Sequence, residues 1–174
     1  VLLNGLAAWT GTTTGRAFIP LLDMSGNQIA DVRKRWLALD QSVVTLEMLA
    51  LRDNRDEFVR AAKGLCKMVR EFVTIQGAFL TPALTKFLHF LAPSALPILD
   101  KQVQKALGKA LGCQPRAPNS KENWELYFNY AGALFDMGLT RPDVQPKLKF
   151  LWAGQPGITP IRELDCTMWA AGRA

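Results

Sequence analysis

Apolar residues in this chain recur at spacings of three and four, and strict two-residue alternation is nearly absent. A chain patterned this way hides its apolar side chains along helix stripes and cannot build the two-faced strands of a sheet. Residues 28–39 carry Ile29, Val32, Trp36 and Leu39 on one face, and Asp40 is placed to cap a second segment over 43–51. Residues 55–74 set Phe58, Ala62, Leu65, Met68, Val69 and Phe72 at helical spacing, with Gly77 following as a stop. Thr81 and Pro82 open the next helix with a cap type and a residue whose missing N–H costs nothing in the first turn, and Pro93 ends it. Further helices are expected over about 100–111, over 120–137 with Gly138 as stop, after Pro142, and after the Thr159–Pro160 pair. The fold class that follows is all-α: a single compact domain, residues 1–174, of seven or eight short helices.

Composition narrows the class further. With 49% hydrophobic residues the chain is too apolar for a disordered one, and 174 residues suit one domain. No uninterrupted apolar run reaches the roughly 18 residues of a membrane span, and the richest stretch, 84–99, is broken by Lys86, His89, Pro93 and Pro97. The N-terminal VLLNGLAAW lacks a basic segment, so no signal peptide is expected, and its lack of Met points to residues upstream. Cys66, Cys113 and Cys166 stand far apart, with no CxxC and no Cys/His cluster. That spacing argues against a disulfide framework, a structural zinc or an iron–sulfur cluster, and for a cytoplasmic protein without a cofactor. TGTTTG at 10–15 is no P-loop, because no Gly-Lys-Ser/Thr follows and no strand precedes it, and it reads as a surface loop.

Charge is informative by its position. Lys and Arg number 21 against 15 Asp and Glu, a net charge of +6. Five of the basic residues, Lys101, Lys105, Lys109, Arg116 and Lys121, share one stretch that holds no acidic residue. It begins inside LPILDKQVQKALG (96–108), the most informative segment of the chain. Pro97 holds the chain extended, so Asp100 falls at or just before the first turn of a helix. A carboxylate there lies beside unpaired backbone N–H groups and the positive end of the helix dipole. Lys101, Lys105 and Lys109 recur every four residues and form a basic stripe on one face. An anion at the mouth of a helix with cations behind it suits a phosphodiester partner. The cations grip phosphates, and the carboxylate faces a sugar carbon that turns positive as a base departs. The same residues also describe an Asp N-cap on a solvated amphipathic helix, and by themselves they leave both roles open.

PILDKQVQKAL resembles the PILDGNVKRVL segment of MutY-type adenine glycosylases, within the helix-hairpin-helix superfamily of DNA glycosylases. FNYAGALFDMG (128–138) is similar to the family's FNQAMMDLG helix and lies in the same order along the chain. The resemblance covers roughly residues 75–140 and implies a helix-hairpin-helix glycosylase-like fold with Asp100 as the catalytic carboxylate. The family hairpin, about LPGVGxxTA, reads IQGAFLTPALT here and retains only Gly77, the candidate for close backbone approach to a DNA phosphate. The iron–sulfur cysteines that follow FNQAMMDLG in the family have no counterpart. The position that holds Lys in the lyase members falls near Thr81 or Pro82, so the resemblance implies hydrolysis without strand cleavage.

Several other side chains carry two readings each. Lys86 and His89 are three apart on the helix opened by Thr81, and both are candidate DNA contacts. Their plainer roles are a solvated lysine and a hydrogen-bonded packing histidine. Trp124, Tyr127, Phe128 and Tyr130 can stack on bases, but their spacing more simply makes a core stripe. Asp136 is either a second carboxylate or an outward-facing helix residue. In TPIRELDCTMW (159–169), Leu164, Met168 and Trp169 are expected to pack inward, with Arg162 and Asp165 pairing in a structural role.

The leading expectation is a DNA-repair glycosylase that needs no metal. Double-stranded DNA would be held by Lys101, Lys105, Lys109, Gly77, Lys86 and His89, and a damaged or mispaired base extruded from the duplex. Asp100 would stabilise the charge that develops at C1′ and orient a water. The other reading is a non-catalytic all-α domain that binds nucleic acid or another protein.

Overall fold

The computed structural model describes residues 26–73, 81–112, 121–140 and 159–173. Among these every regular element is a helix: α1 (Gly26–Ala50), α2 (Arg55–Val73), α3 (Thr81–Leu91), α4 (Lys101–Leu111), α5 (Lys121–Asp136) and α6 (Pro160–Arg173). α1 packs on α2, α2 on α3 and α5, and α4 on α6. The protein is all-α, with six helices among the described residues. TGTTTG, Gly77, the segment after Gly112 and the helix expected after Pro142 lie outside the described residues.

The two helices expected on either side of Asp40 form a single one, α1. Asp caps a helix only where the backbone leaves helical φ and ψ, and no Gly or Pro between Asn27 and Ala50 makes it do so. Leu39, Val43, Leu46 and Ala50 continue one buried stripe in phase across the expected break. The polar residues beside Asp40 fit within the helix. Ser42 Oγ and Thr45 Oγ1 donate back to the carbonyls of Ala38 and Gln41, at 3.0 and 2.9 Å.

The apolar faces of α1, α2, α3 and α5 share one core that includes Phe58, Leu65, Phe87, Leu88, Tyr127 and Leu134, all almost fully buried. Phe58 stacks on Phe135 with ring centroids 4.9 Å apart, and Trp36 meets Phe87 edge-on at 6.4 Å. Tyr127 and Tyr130 are buried, and Trp124 and Phe128 pack against the core, so the aromatic stretch of α5 is core rather than a stacking platform. Asp136 faces outward and pairs with Arg55 at 3.0 Å.

Residues 93–99 connect α3 to α4, and the chain from Ala95 to Leu99 is buried without regular structure. Buried backbone polar groups need partners, and here side chains supply them. Leu99 N–H donates to Thr85 Oγ1 at 3.0 Å, Ile98 N–H donates to Asp165 Oδ2 at 2.8 Å, and the Leu96 carbonyl accepts from His89 Nδ1 at 2.6 Å. Thr159 Oγ1 donates to the Pro93 carbonyl and accepts from Arg162 N–H, so the cap of α6 also fastens the start of the link.

α4 is capped by Asp100 before it and by Gly112 after it, whose φ of 66° is the left-handed conformation that glycine adopts without strain. α4 and α6 approach so closely that a side chain on Gly172 would overlap the Gln102 carbonyl. Gly172→Ala is therefore expected to destabilise the protein by about 1–3 kcal/mol, read as a lowered urea midpoint. An unchanged midpoint would mean that the last turn of α6 yields without cost.

Candidate functional site

Asp100 sits in extended backbone, φ −90° and ψ −179°, immediately before α4. Its Oδ1 accepts from the N–H groups of Gln102 at 2.9 Å and Val103 at 3.0 Å. Both bonds land on one oxygen. The other, Oδ2, accepts none among the described residues and belongs to a carboxylate that borders a cavity. The cavity has a volume of about 460 Å³, within the range of small-molecule sites. Around Asp100 it is lined by Ile98 and Val103 from the link and α4, by Lys86 from α3, and by Arg162, Asp165, Cys166 and Trp169 from α6.

The candidate residues divide by position. Asp100 and Lys86 share the cavity. Lys101, Lys105 and Lys109 are all exposed, along the face of α4 opposite buried Val103, Gln104 and Ala106, so the basic stripe leads away from the cavity over the outside of the protein. His89 is apart from both. It is buried, and its Nδ1 donates to the Leu96 carbonyl. Burial pushes its pKa below the usual imidazole value against the effect of that bond, which makes it a neutral clamp on the link. Gly77 lies outside the described residues.

The α6 wall carries no site motif in the sequence. Arg162, Asp165, Cys166 and Trp169 follow one another at spacings of three, one and three, which places them on one helix face. Trp169, expected inward, is 40% exposed and turns to the cavity, while Leu164 and Met168 do pack against the core. The Arg173 guanidinium lies over its ring at 4.6 Å from the centroid. Asp165 is only 2% exposed, and its oxygens accept from Ile98 N–H at 2.8 Å and from Tyr130 Oη–H at 3.2 Å. Burial pushes its carboxyl up to about 7, opposed by the Ile98 bond, the Arg162 charge and the Tyr130 bond. Asp165 is thus buried and reaches two other elements, while the charge of Arg162, its expected partner, also acts on it.

The cavity accordingly sets two carboxylates against two cations, with an aromatic ring at its edge and apolar walls between them. Such a surface suits a flat, partly polar molecule, which a ring can stack on and charged groups can act on. Among the described residues no group of three or more His, Cys, Asp or Glu is arranged to hold a metal ion, and no helix is long and apolar enough to cross a membrane. No family model matches the chain, and neither characterised proteins nor solved structures yield a match.

Proposed function

We propose that the cavity receives an extruded nucleobase and that Asp100 is the catalytic carboxylate of a DNA-glycosylase-like hydrolase. The placement of Asp100 carries this reading. One of its oxygens is fixed by two backbone N–H groups, its carboxylate borders a base-sized cavity, and a row of three exposed lysines starts beside it. In the reaction the C1′–N bond breaks and its electron pair leaves with the base. The sugar carbon turns positive, and a carboxylate held in place stabilises it without reorganising. A water oxygen then bonds to C1′, and its proton passes by way of Asp100 to the departing base. The product is an abasic site in an unbroken strand. Trp169 offers a stacking face for the base, and Lys101, Lys105 and Lys109 hold the phosphates outside.

The test is incubation with a panel of duplexes carrying lesions and mismatches, followed by alkali, which converts abasic sites to breaks. Breaks made by the wild type and lost in Asp100→Asn support the hydrolase. A second reading, binding without chemistry, draws on the capping bonds of Asp100, which by themselves give a structural reason for an acid there. Duplex binding with no abasic site on any substrate selects it.

The hydrolase reading and the nucleic-acid form of the second share a DNA-binding surface, and no duplex binding at low salt would leave a protein-binding domain. Each lysine that neutralises a phosphate adds about 0.9 to the slope of log affinity on log salt. Replacing Lys101, Lys105 and Lys109 together by Gln is therefore expected to flatten that slope by about 3, measured by fluorescence anisotropy on a labelled duplex. Parallel slopes for the two proteins would place the DNA on another face.

A further inference from the structure

Asp165 holds Ile98 N–H, but that bond does not call for a carboxyl group, since an amide oxygen accepts it equally well. A carboxyl here instead faces a cavity from a position that disfavours its charge. The groups around it come from four elements: Arg162 on α6, Asp100 and the Ile98 N–H on the link, Tyr130 and Tyr127 on α5, and Lys86 of α3 on the same cavity. Tyr130 donates to it and, with its own ionisation pushed up first by burial and then by Asp165, stays a donor. A protonated Asp165 would add an uncharged O–H donor to a wall that otherwise offers the cationic donors Lys86 and Arg162. It would also leave one carboxylate facing those two cations.

We infer that Asp165 is the specificity-determining residue of the cavity, reading a ring-nitrogen acceptor on an uncharged heterocycle, while Lys86 and Arg162 exclude heterocycles that are already cationic. The inference rests on the base-binding reading above and names its substrate class: neutral bases rather than N-alkylated, positively charged ones. A base alkylated at the ring nitrogen that meets the carboxyl has lost that acceptor and brings its positive charge beside Lys86 and Arg162. Ionised Asp165 offers only acceptors, so the ring nitrogen loses its partner as the pH passes through about 7.

Titration calorimetry of the full chain with free nucleosides tests this without any bond cleavage. Adenosine and cytidine serve as neutral probes at pH 6 and pH 8.5, and 1-methyladenosine and 3-methylcytidine as their cationic counterparts at pH 6. The neutral probes are expected to bind at pH 6 and to weaken by roughly tenfold or more at pH 8.5, as the donor form of a carboxyl ionising near 7 is depleted. Each cation is expected to bind at least about tenfold more weakly than its parent at pH 6. Asp165→Asn, whose amide donates at every pH, is expected to bind the neutral probes alike at both pH values, with its fold checked by circular dichroism. Four results would overturn the inference: equal binding of parent and cation, pH-independent binding by the wild type, pH-dependent binding by the variant, or no binding of either neutral probe. Abasic sites formed alongside unselective nucleoside binding remove the inference alone. Selective nucleoside binding without any abasic site removes the hydrolase chemistry alone.

Discussion

Asp100→Asn is expected to lower base release by two to four orders of magnitude while leaving the fold within about 1 kcal/mol of wild type. The two effects separate because Asp100 has two oxygens in two settings. Oδ1 takes the N–H groups of Gln102 and Val103, and an Asn side chain caps a helix about as well as Asp does. What the amide lacks is charge. Its loss removes a favourable interaction with the N-terminal dipole of α4, worth about 0.3–1 kcal/mol, and the electrostatic stabilisation that the proposed mechanism asks Asp100 to give a cationic sugar. Duplex binding should tighten slightly, since an anion leaves a surface that carries Lys101, Lys105 and Lys109. Asp100→Ala is the contrasting variant. It strips both N–H groups of their acceptor and should cost about 1–2 kcal/mol of stability, so Ala reports on the cap and Asn on the charge. Undiminished abasic-site formation by the Asn variant would confine Asp100 to its structural role.

What could be read along the chain, and what could not, follows from the distance between partners. The start of α4 was legible because its signals are local: Pro97 extends the chain, Asp100 reaches N–H groups two and three residues on, and Gly112 closes the helix four residues past Gly108. The basic stripe was legible for the same reason, as periodicity within one helix. Asp40 shows the weakness of such signals, since a residue type suited to a cap lies in mid-helix when the buried stripe of Leu39, Val43 and Leu46 runs through unbroken. Asp165 was beyond reach on other grounds. Its partners Ile98 and Tyr130 are 67 and 35 residues away, and the sequence offers only Arg162 three residues back. Trp169 was placed in the core by its periodicity and apolar bulk, but the cavity between α4, the link and α6 gives its ring an opening that no pattern within one helix records. The polar half of the site is written in the contacts that a buried link makes with the helices around it.

Asp165→Asn is expected to raise stability above neutral pH and to remove a pH dependence that the wild type shows. The folded carboxyl ionises near 7, against 3.8 in its ordinary state, so between those values the folded protein holds a proton that the unfolded chain has released. Below about pH 3 both states are protonated and Asp165 contributes nothing. As the pH rises from about 4 to about 7 the unfolded chain gains by ionising first, and folding becomes less favourable. Above about 8 the loss is complete and amounts to about 4 kcal/mol, with little relief from solvent at a side chain that is 2% exposed. Asn never ionises. It keeps an oxygen for Ile98 N–H, and its amide can donate to the Tyr130 hydroxyl in place of accepting from it. Urea denaturation at pH 4.5 and pH 8 should therefore show the variant gaining on the wild type by about 3 kcal/mol between the lower value and the higher. Other carboxylates shift both curves alike, so the difference between them isolates Asp165. A difference that stays flat with pH would mean that the Asp165 carboxylate is paired well enough to ionise at its ordinary value, and would also withdraw the proton that the cavity is inferred to offer its ligand.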